Sequence, residues 1–293
     1  MELELKKGGL RARVDTLGAE LVSCRPGDGP EYIWTGDAAY WPGRNPLLFP
    51  VVGNPREGKV MFGGRAYEMA RHGFARRKEF AVAGRGEDWA RLALTESPDT
   101  LAAYPFPFRL TVEQRLEADG FSTAVTVENP GEGPMPFCLG AHTGFRCPLE
   151  AGEAFEDYEL VFPRRETCPT IPLREGLLDR DRRVPCLEDT DTLPLDYRWF
   201  DELDTLIFEG LRSKSVTLRS RKSGRGVRVS FDGFPMLALW TMPGKRAPYL
   251  CIEPWHGCAA AWQEGPEFTD KAHCITLAPG ERRTLGYQVE LLK

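Results

Sequence analysis

Long apolar runs are missing from this sequence: nowhere do about 18 apolar residues follow one another, and Met1-Glu-Leu-Glu-Leu-Lys-Lys7 has no apolar leader region. The expectation is a cytoplasmic protein with no membrane partner. A concentrated basic footprint is also missing. Net charge is −5, and the densest basic cluster, Arg212–Arg228, is broken by apolar and Gly positions, which argues against nucleic acid as a partner. Arg219, Arg221, Lys222, Arg225 and Arg228 are expected on the wet face and turn of a hairpin. The 8 cysteines show no Cys-x-x-Cys, and several, such as Cys138, Cys251 and Cys274, sit in apolar runs, so the cysteines read as reduced, mostly buried small hydrophobes. Only 4 histidines occur, with neither His-Glu-x-x-His nor a close His-x-His pair, so metal ligation has no spacing to support it. P-loop, dinucleotide and Gly-x-Ser-x-Gly signatures are absent as well.

What is present is alternation. Leu10–Val14 alternates with period two and resumes through Ala19, Leu21 and Ser23 after Gly18. Gly63-Gly64 predicts a hairpin within Lys59–Tyr67, and Asp119-Gly120 another between Arg109–Leu116 and Phe121–Val127. Phe80–Ala83 and Arg91–Thr95 are expected to pair around Gly84-Arg-Gly86. Ser215–Ser220, Val227–Phe231, Met236–Thr241, Cys274–Leu277 and Leu285–Leu292 supply further strands, and Asp99–Ala103 is the one short helical candidate. From Glu150 to Asp204 only Tyr158–Phe162 reads as a strand; the rest lacks periodicity and is expected to make excursions from the core. About sixteen short strands without a long amphipathic helix predict an all-β sandwich or barrel. No repeat or linker divides the chain, so residues 1–293 are expected to form a single domain.

Four polar residues stand out against that scaffold. Glu253 is the lone carboxylate in the apolar run Tyr249-Leu-Cys-Ile-Glu-Pro-Trp-His-Gly257. A carboxylate out of water is paired, hydrogen-bonded or protonated, and in a cleft its pKa moves toward that of a useful general base. His142 ends the run Phe137–Ala141 among small residues that leave room beside its ring. His72 lies in a turn next to Gly73, and Asp204 lies at the mouth of the strand Thr205–Phe208. Each has a structural alternative: a capping or Arg-paired Glu253, core histidines and a strand-end Asp204. His256 is expected to point away from Glu253 and Trp255, on the other strand face. In the loop Trp34–Pro46, the rings of Trp34, Tyr40 and Trp41 are expected to pin the loop rather than stack on a ligand.

Tyr40-Trp-Pro-Gly-Arg44 with Leu48–Gly53, His72-Gly-Phe-Ala-Arg76, Gly140-Ala-His142 with Phe145–Leu149, Asp204–Phe208 and Cys251–Gly257 occur in an order that resembles the aldose 1-epimerase (galactose mutarotase-like) family, in its shorter bacterial branch. The resemblance spans most of the chain. It implies a large antiparallel β-sandwich with few short helices, an open sugar-binding face, and no metal or organic cofactor. It implies that Glu253 removes the anomeric hydroxyl proton, His142 protonates the ring oxygen, His72 holds or helps protonate the sugar there, and Asp204 binds hydroxyls. The chemistry agrees: ring opening needs a base and an acid, and closure returns both protons. The chain departs from the family pattern at Thr143 and Arg146, where Pro and Asn are common, and at Asn54, where Arg is common, with Arg56 two residues later. Arg44, Arg56, Arg76 and Arg146 are candidate substrate-binding residues and raise an anionic sugar, such as a hexose phosphate, as an alternative substrate. A non-catalytic sugar-binding protein is a further alternative, and the expected state is a monomer or homodimer.

Overall fold

The computed structural model describes residues 1–292. Fifteen strands join in one antiparallel sheet, and smaller sheets, including the N-terminal meander Glu2–Lys7, Leu10–Asp15 and Glu20–Pro26, pack around it. The large sheet has two halves. The first runs from Leu47–Leu48 through Leu139–Ala141, Tyr249–His256 and Met236–Trp240 to Thr205–Glu209. The second runs from Ser215–Ser220 through Gly226–Ser230, Arg282–Leu292, Gly120–Glu128, Arg109–Leu116 and Trp89–Thr95 to Ala81–Arg85. The 13-residue strand Tyr158–Thr170 joins them, pairing Thr170 with Phe208 at one end and Tyr158–Val161 with Thr217–Ser220 at the other. The expected β-sandwich is therefore present.

Strands of the second half expose one face, and their sequences alternate accordingly: Arg109–Leu116 and Gly120–Glu128 bury every second side chain. Tyr249–His256 is covered on both faces and buried along all but its last residue, which is why it reads as a continuous apolar run. The halves are tied internally where Thr143 Oγ1 donates to Asn45 Oδ1 (2.7 Å), with the Tyr287 hydroxyl 3.1 Å from both. Phe49 is buried among Phe74, Tyr104, Phe108 and Phe137, with ring centroids 5.4–6.0 Å away. Burying such a ring contributes about 1.5–3 kcal/mol, and here it anchors the segment that holds His72.

The passage Glu150–Asp204 corrects its sequence reading. It contributes the joining strand Tyr158–Thr170 and its partner Val184–Pro194, whose pairing is broken by repeated register shifts. Prolines within the strands and these irregularities erase the period-two signal. The helix Tyr197–Leu203, capped by Asp196 Oδ1 accepting from Arg198 N–H, was also not expected. The expected helix is present as Pro98–Ala103 behind a Ser97 cap. Gly84 lies within a strand beside a bulge rather than in the turn, which closes around Gly86. The described residues contain 24 strands; several of the additional ones, such as Leu173–Arg174 and Leu177–Leu178, are too short to carry a pattern. The basic hairpin is as expected: Arg219, Lys222, Arg225 and Arg228 pair with Glu159, Asp157, Glu150 and Glu290. All eight cysteines are free, six of them buried. No helix among the described residues is long and apolar enough to cross a membrane.

Candidate active site

Strand register brings the first pair together. Gly140 pairs with Trp255 and Thr143 with Ile252 across Tyr249–His256. The same register carried through the break between Leu139–Ala141 and Thr143–Arg146 sets His142 opposite Glu253. His142 Nε2 and Glu253 Oε1 are 3.3 Å apart, their side chains 7% and 1% exposed. Glu253 Oε2 and His142 Nδ1 have no hydrogen-bond partner. Burial is the main influence on both: it pushes the Glu253 carboxyl well above its usual range, and lowers the His142 imidazole to about 3 with help from the Arg71 charge. The Arg71 charge and, after it, the nearby indole N–H of Trp255, which makes no hydrogen bond, oppose the rise at Glu253 without cancelling it. Two such displaced groups in contact make the pair a candidate for proton exchange.

His72 joins them through an unusual backbone. It lies in the left-handed region at φ 64°, followed by Gly73 at φ 71°. A Cβ on Gly73 would stand 2.2 Å from the Phe49 carbonyl oxygen, so only glycine lets the turn press against Phe49. His72 N–H donates to Gly53 O (2.9 Å), and Gly53 N–H donates back to His72 Nδ1 (3.1 Å). That second bond occupies the Nδ1 lone pair, so in the neutral ring Nε2 carries the hydrogen. Burial, then the neighbouring His142, Arg71 and Arg76, hold His72 well below its normal pKa and keep it neutral. His72 and His142 meet edge to face with centroids 5.5 Å apart. Arg71 Nε also points its hydrogen at His72 Nε2 from 3.0 Å; a neutral ring accepts at one nitrogen only, and the exposed Arg71 side chain can turn to water or a ligand where the buried Gly53 N–H cannot, so Nδ1 keeps the acceptor role.

The cleft is lined by these side chains with Asn54, Thr205, Trp240 and Trp255 among others and has a cavity volume of about 20 Å³, far below the roughly 300–1,000 Å³ of small-molecule sites. Trp41 lies over the His142 ring (4.8 Å, 31°), and Trp240 meets it edge-on at 5.5 Å. The aromatic loop thus divides: Trp34 is buried and pins the loop by donating from Nε1 to Trp41 O (2.8 Å), while Trp41 covers the site. His256 faces the other way, as expected, with Nδ1 2.7 Å from His273 O.

The remaining candidates do not converge. Asp204 is exposed at φ 63°, accepts from Thr205 Oγ1 (2.7 Å), and stands next to a lining residue rather than in the lining. Arg56 is tied by Nη2 to Ala261 O at 2.5 Å, and Arg76 Nη2 donates to Arg71 O at 3.0 Å. Arg44 Nε lies against Gly36, and Arg146 sits on the strand opposite Tyr249. None of the four lines the cleft. The arginine that does is Arg71, which the sequence analysis passed over; its only signal was adjacency to His72-Gly73. Asn54 lines the cleft too, with Nδ2 donating to Gly176 O at 3.1 Å.

Residues 1–290 match the sequence model of the Aldose 1-epimerase family. Plasmid-encoded LacX of Lactococcus lactis subsp. lactis is 38% identical, with 100% of both chains covered. A galactose mutarotase related enzyme from Lactobacillus acidophilus superposes with TM-score 0.95 at 28% identity, covering 100% of this chain and 98% of that one. A galactose mutarotase-like protein from Lactobacillus casei ATCC 334 does so with TM-score 0.93 at 28% identity, over 100% of both chains. The chain belongs to the aldose 1-epimerase family.

Proposed function

We propose that the protein is a cytoplasmic, cofactor-independent aldose 1-epimerase that interconverts the α and β anomers of a neutral aldohexose, working as one domain. The observation that carries this reading is the buried His142–Glu253 contact of 3.3 Å, in which neither side chain has another polar partner. Between the low pKa of His142 and the raised pKa of Glu253, the two groups share one proton. Hydroxyls of a bound sugar supply the polar surroundings that let that proton sit on His142. Glu253 then accepts the anomeric hydroxyl proton while His142 gives its own to the ring oxygen, and the ring opens. Rotation about C1–C2 presents the other carbonyl face, and the reverse transfers close the ring and restore the pair. His72 donates from Nε2 to the sugar as a neutral hydrogen-bond donor, and Asp204 at the rim accepts from hydroxyls. A positioned acid and base contribute about 10²–10⁴-fold.

An anionic sugar is supported by Arg71 alone among the cleft-lining residues, which favours the neutral substrate. The test is anomer exchange by NMR for galactose, glucose and a hexose 6-phosphate, with the spontaneous rate subtracted. The expected result is acceleration proportional to protein and greatest for a neutral hexose. Preference for the phosphate would move the reading to the anionic class, and binding without acceleration would make the protein a sugar sensor.

A further inference from the structure

We propose that His142, Cys251 and Glu253 form a capture site for one thiophilic divalent cation, of the zinc or cadmium class, and that its occupancy shuts the acid–base pair down. The donor atoms of these three buried side chains lie within 4.8 Å of one another, and they are the one such group among the described residues. The sequence hides it because the ligands come from two strands. Cys251 and Glu253 are two residues apart and so share a face of Tyr249–His256, and the register supplies His142 from across the sheet.

Tetrahedral coordination with metal–ligand bonds near those of zinc separates neighbouring donors by about 3.5 Å. His142 and Glu253 already stand at 3.3 Å, and Cys251 closes the gap by turning inward. Glu253 Oε2 is buried and unpartnered, so coordination satisfies a group that nothing else does. Charge also balances: thiolate and carboxylate offset the cation, and a neutral imidazole completes a site with no net charge, which burial requires. Binding releases the thiol proton and the carboxyl proton to solvent, with no change of oxidation state. A thiolate–imidazole–carboxylate set selects zinc or cadmium over magnesium or calcium. Three protein donors leave a fourth position for water.

Cation binding stands on the three donors alone, whereas the loss of activity rests on the proposed function. The test is titration of the purified chain with cadmium, followed by the ultraviolet thiolate-to-metal band and by anomer exchange in parallel. One equivalent is expected to develop the band and abolish exchange. Cys251→Ser is expected to retain exchange within about twofold, show no band at one equivalent and resist cadmium; Cys251→Ala serves if the serine variant does not fold. His142→Asn, which leaves every thiol in place, is expected to weaken cadmium uptake at least tenfold. Absence of the band in the unaltered chain, a full band in the Cys251 variants, or inhibition without the band overturns the proposal. A chain that binds cadmium through Cys251 yet accelerates no sugar would leave the site standing and overturn the proposed function instead.

Discussion

Two histidine–carboxylate pairs occur among the described residues, and they differ in opposite directions. His273 Nε2 and Glu209 Oε1 are 2.6 Å apart, 32% and 24% exposed, and Glu209 also accepts two bonds from Arg180 Nη2 at 2.6 and 2.7 Å. His142 and Glu253 are 3.3 Å apart, 7% and 1% exposed, with no guanidinium bound to the carboxylate. Although burial pulls the other way, Arg180 and His273 together hold the Glu209 carboxyl below its usual pKa, whereas burial drives that of Glu253 up. The same residue types make a partly exposed clamp in one place and a buried pair with oppositely displaced pKa values in the other. What separates them is water and a fixed cation, not the pair itself.

The largest expected effect tests whether only the buried pair does chemistry. His142→Asn is predicted to lower anomer exchange at least about a hundredfold, whereas His273→Asn leaves it within about threefold; NMR line-shape or exchange spectroscopy on one sugar measures both. A second prediction opposes the pairs in stability. Glu253 is a carboxylate with a raised folded pKa, so it lowers stability as pH rises from the unfolded value toward the folded one. Glu253→Gln is therefore expected to gain about 0.5–2 kcal/mol at neutral pH. Glu209 has a depressed pKa and stabilises above the unfolded value, so Glu209→Gln is expected to lose about 1–3 kcal/mol, since Arg180 keeps a half-buried charge without its partner. Urea unfolding checks both signs.

The third prediction concerns acid. His142 has a folded pKa of about 3 against a normal 6.5; the unfolded chain takes up that proton first, so stability falls as pH drops from about 6.5 toward 3. The slope attributable to this group is up to about 1.4 kcal/mol per pH unit. His142→Asn is expected to flatten the acid limb. A fourth and smallest effect is expected on the far face of Tyr249–His256. His256→Gln is predicted to cost about 1 kcal/mol or less through its bond to the His273 carbonyl, with unchanged exchange.

How much of this was legible in the sequence follows from where each element's information lies. Arg109–Leu116 and Gly120–Glu128 show their burial directly as alternation. Tyr158–Thr170 does so only as far as Phe162, which was read as a strand; beyond it the register slips repeatedly against Val184–Pro194, so the rest of the strand that joins the two halves looked like an excursion. Glu253, His142 and His72 were visible as polar residues where apolar patterns stop, although their convergence depends on sheet register and on the positive-φ turn at His72-Gly73. Where the arginines point was not legible because a guanidinium reaches far along its stem, and sequence position does not say which way. Arg56 turned to backbone carbonyls of Ala261 and Trp262, and Arg71 turned to the cleft.

The most direct measurement sets Glu253→Gln beside Glu209→Gln in one anomer-exchange assay, each with its unfolding curve. Exchange lost by at least about a hundredfold in the first variant, with stability raised, and kept in the second, with stability lowered, is the predicted result. Exchange that survives Glu253→Gln while the chain stays folded would contradict the assignment of the buried pair as the catalytic one.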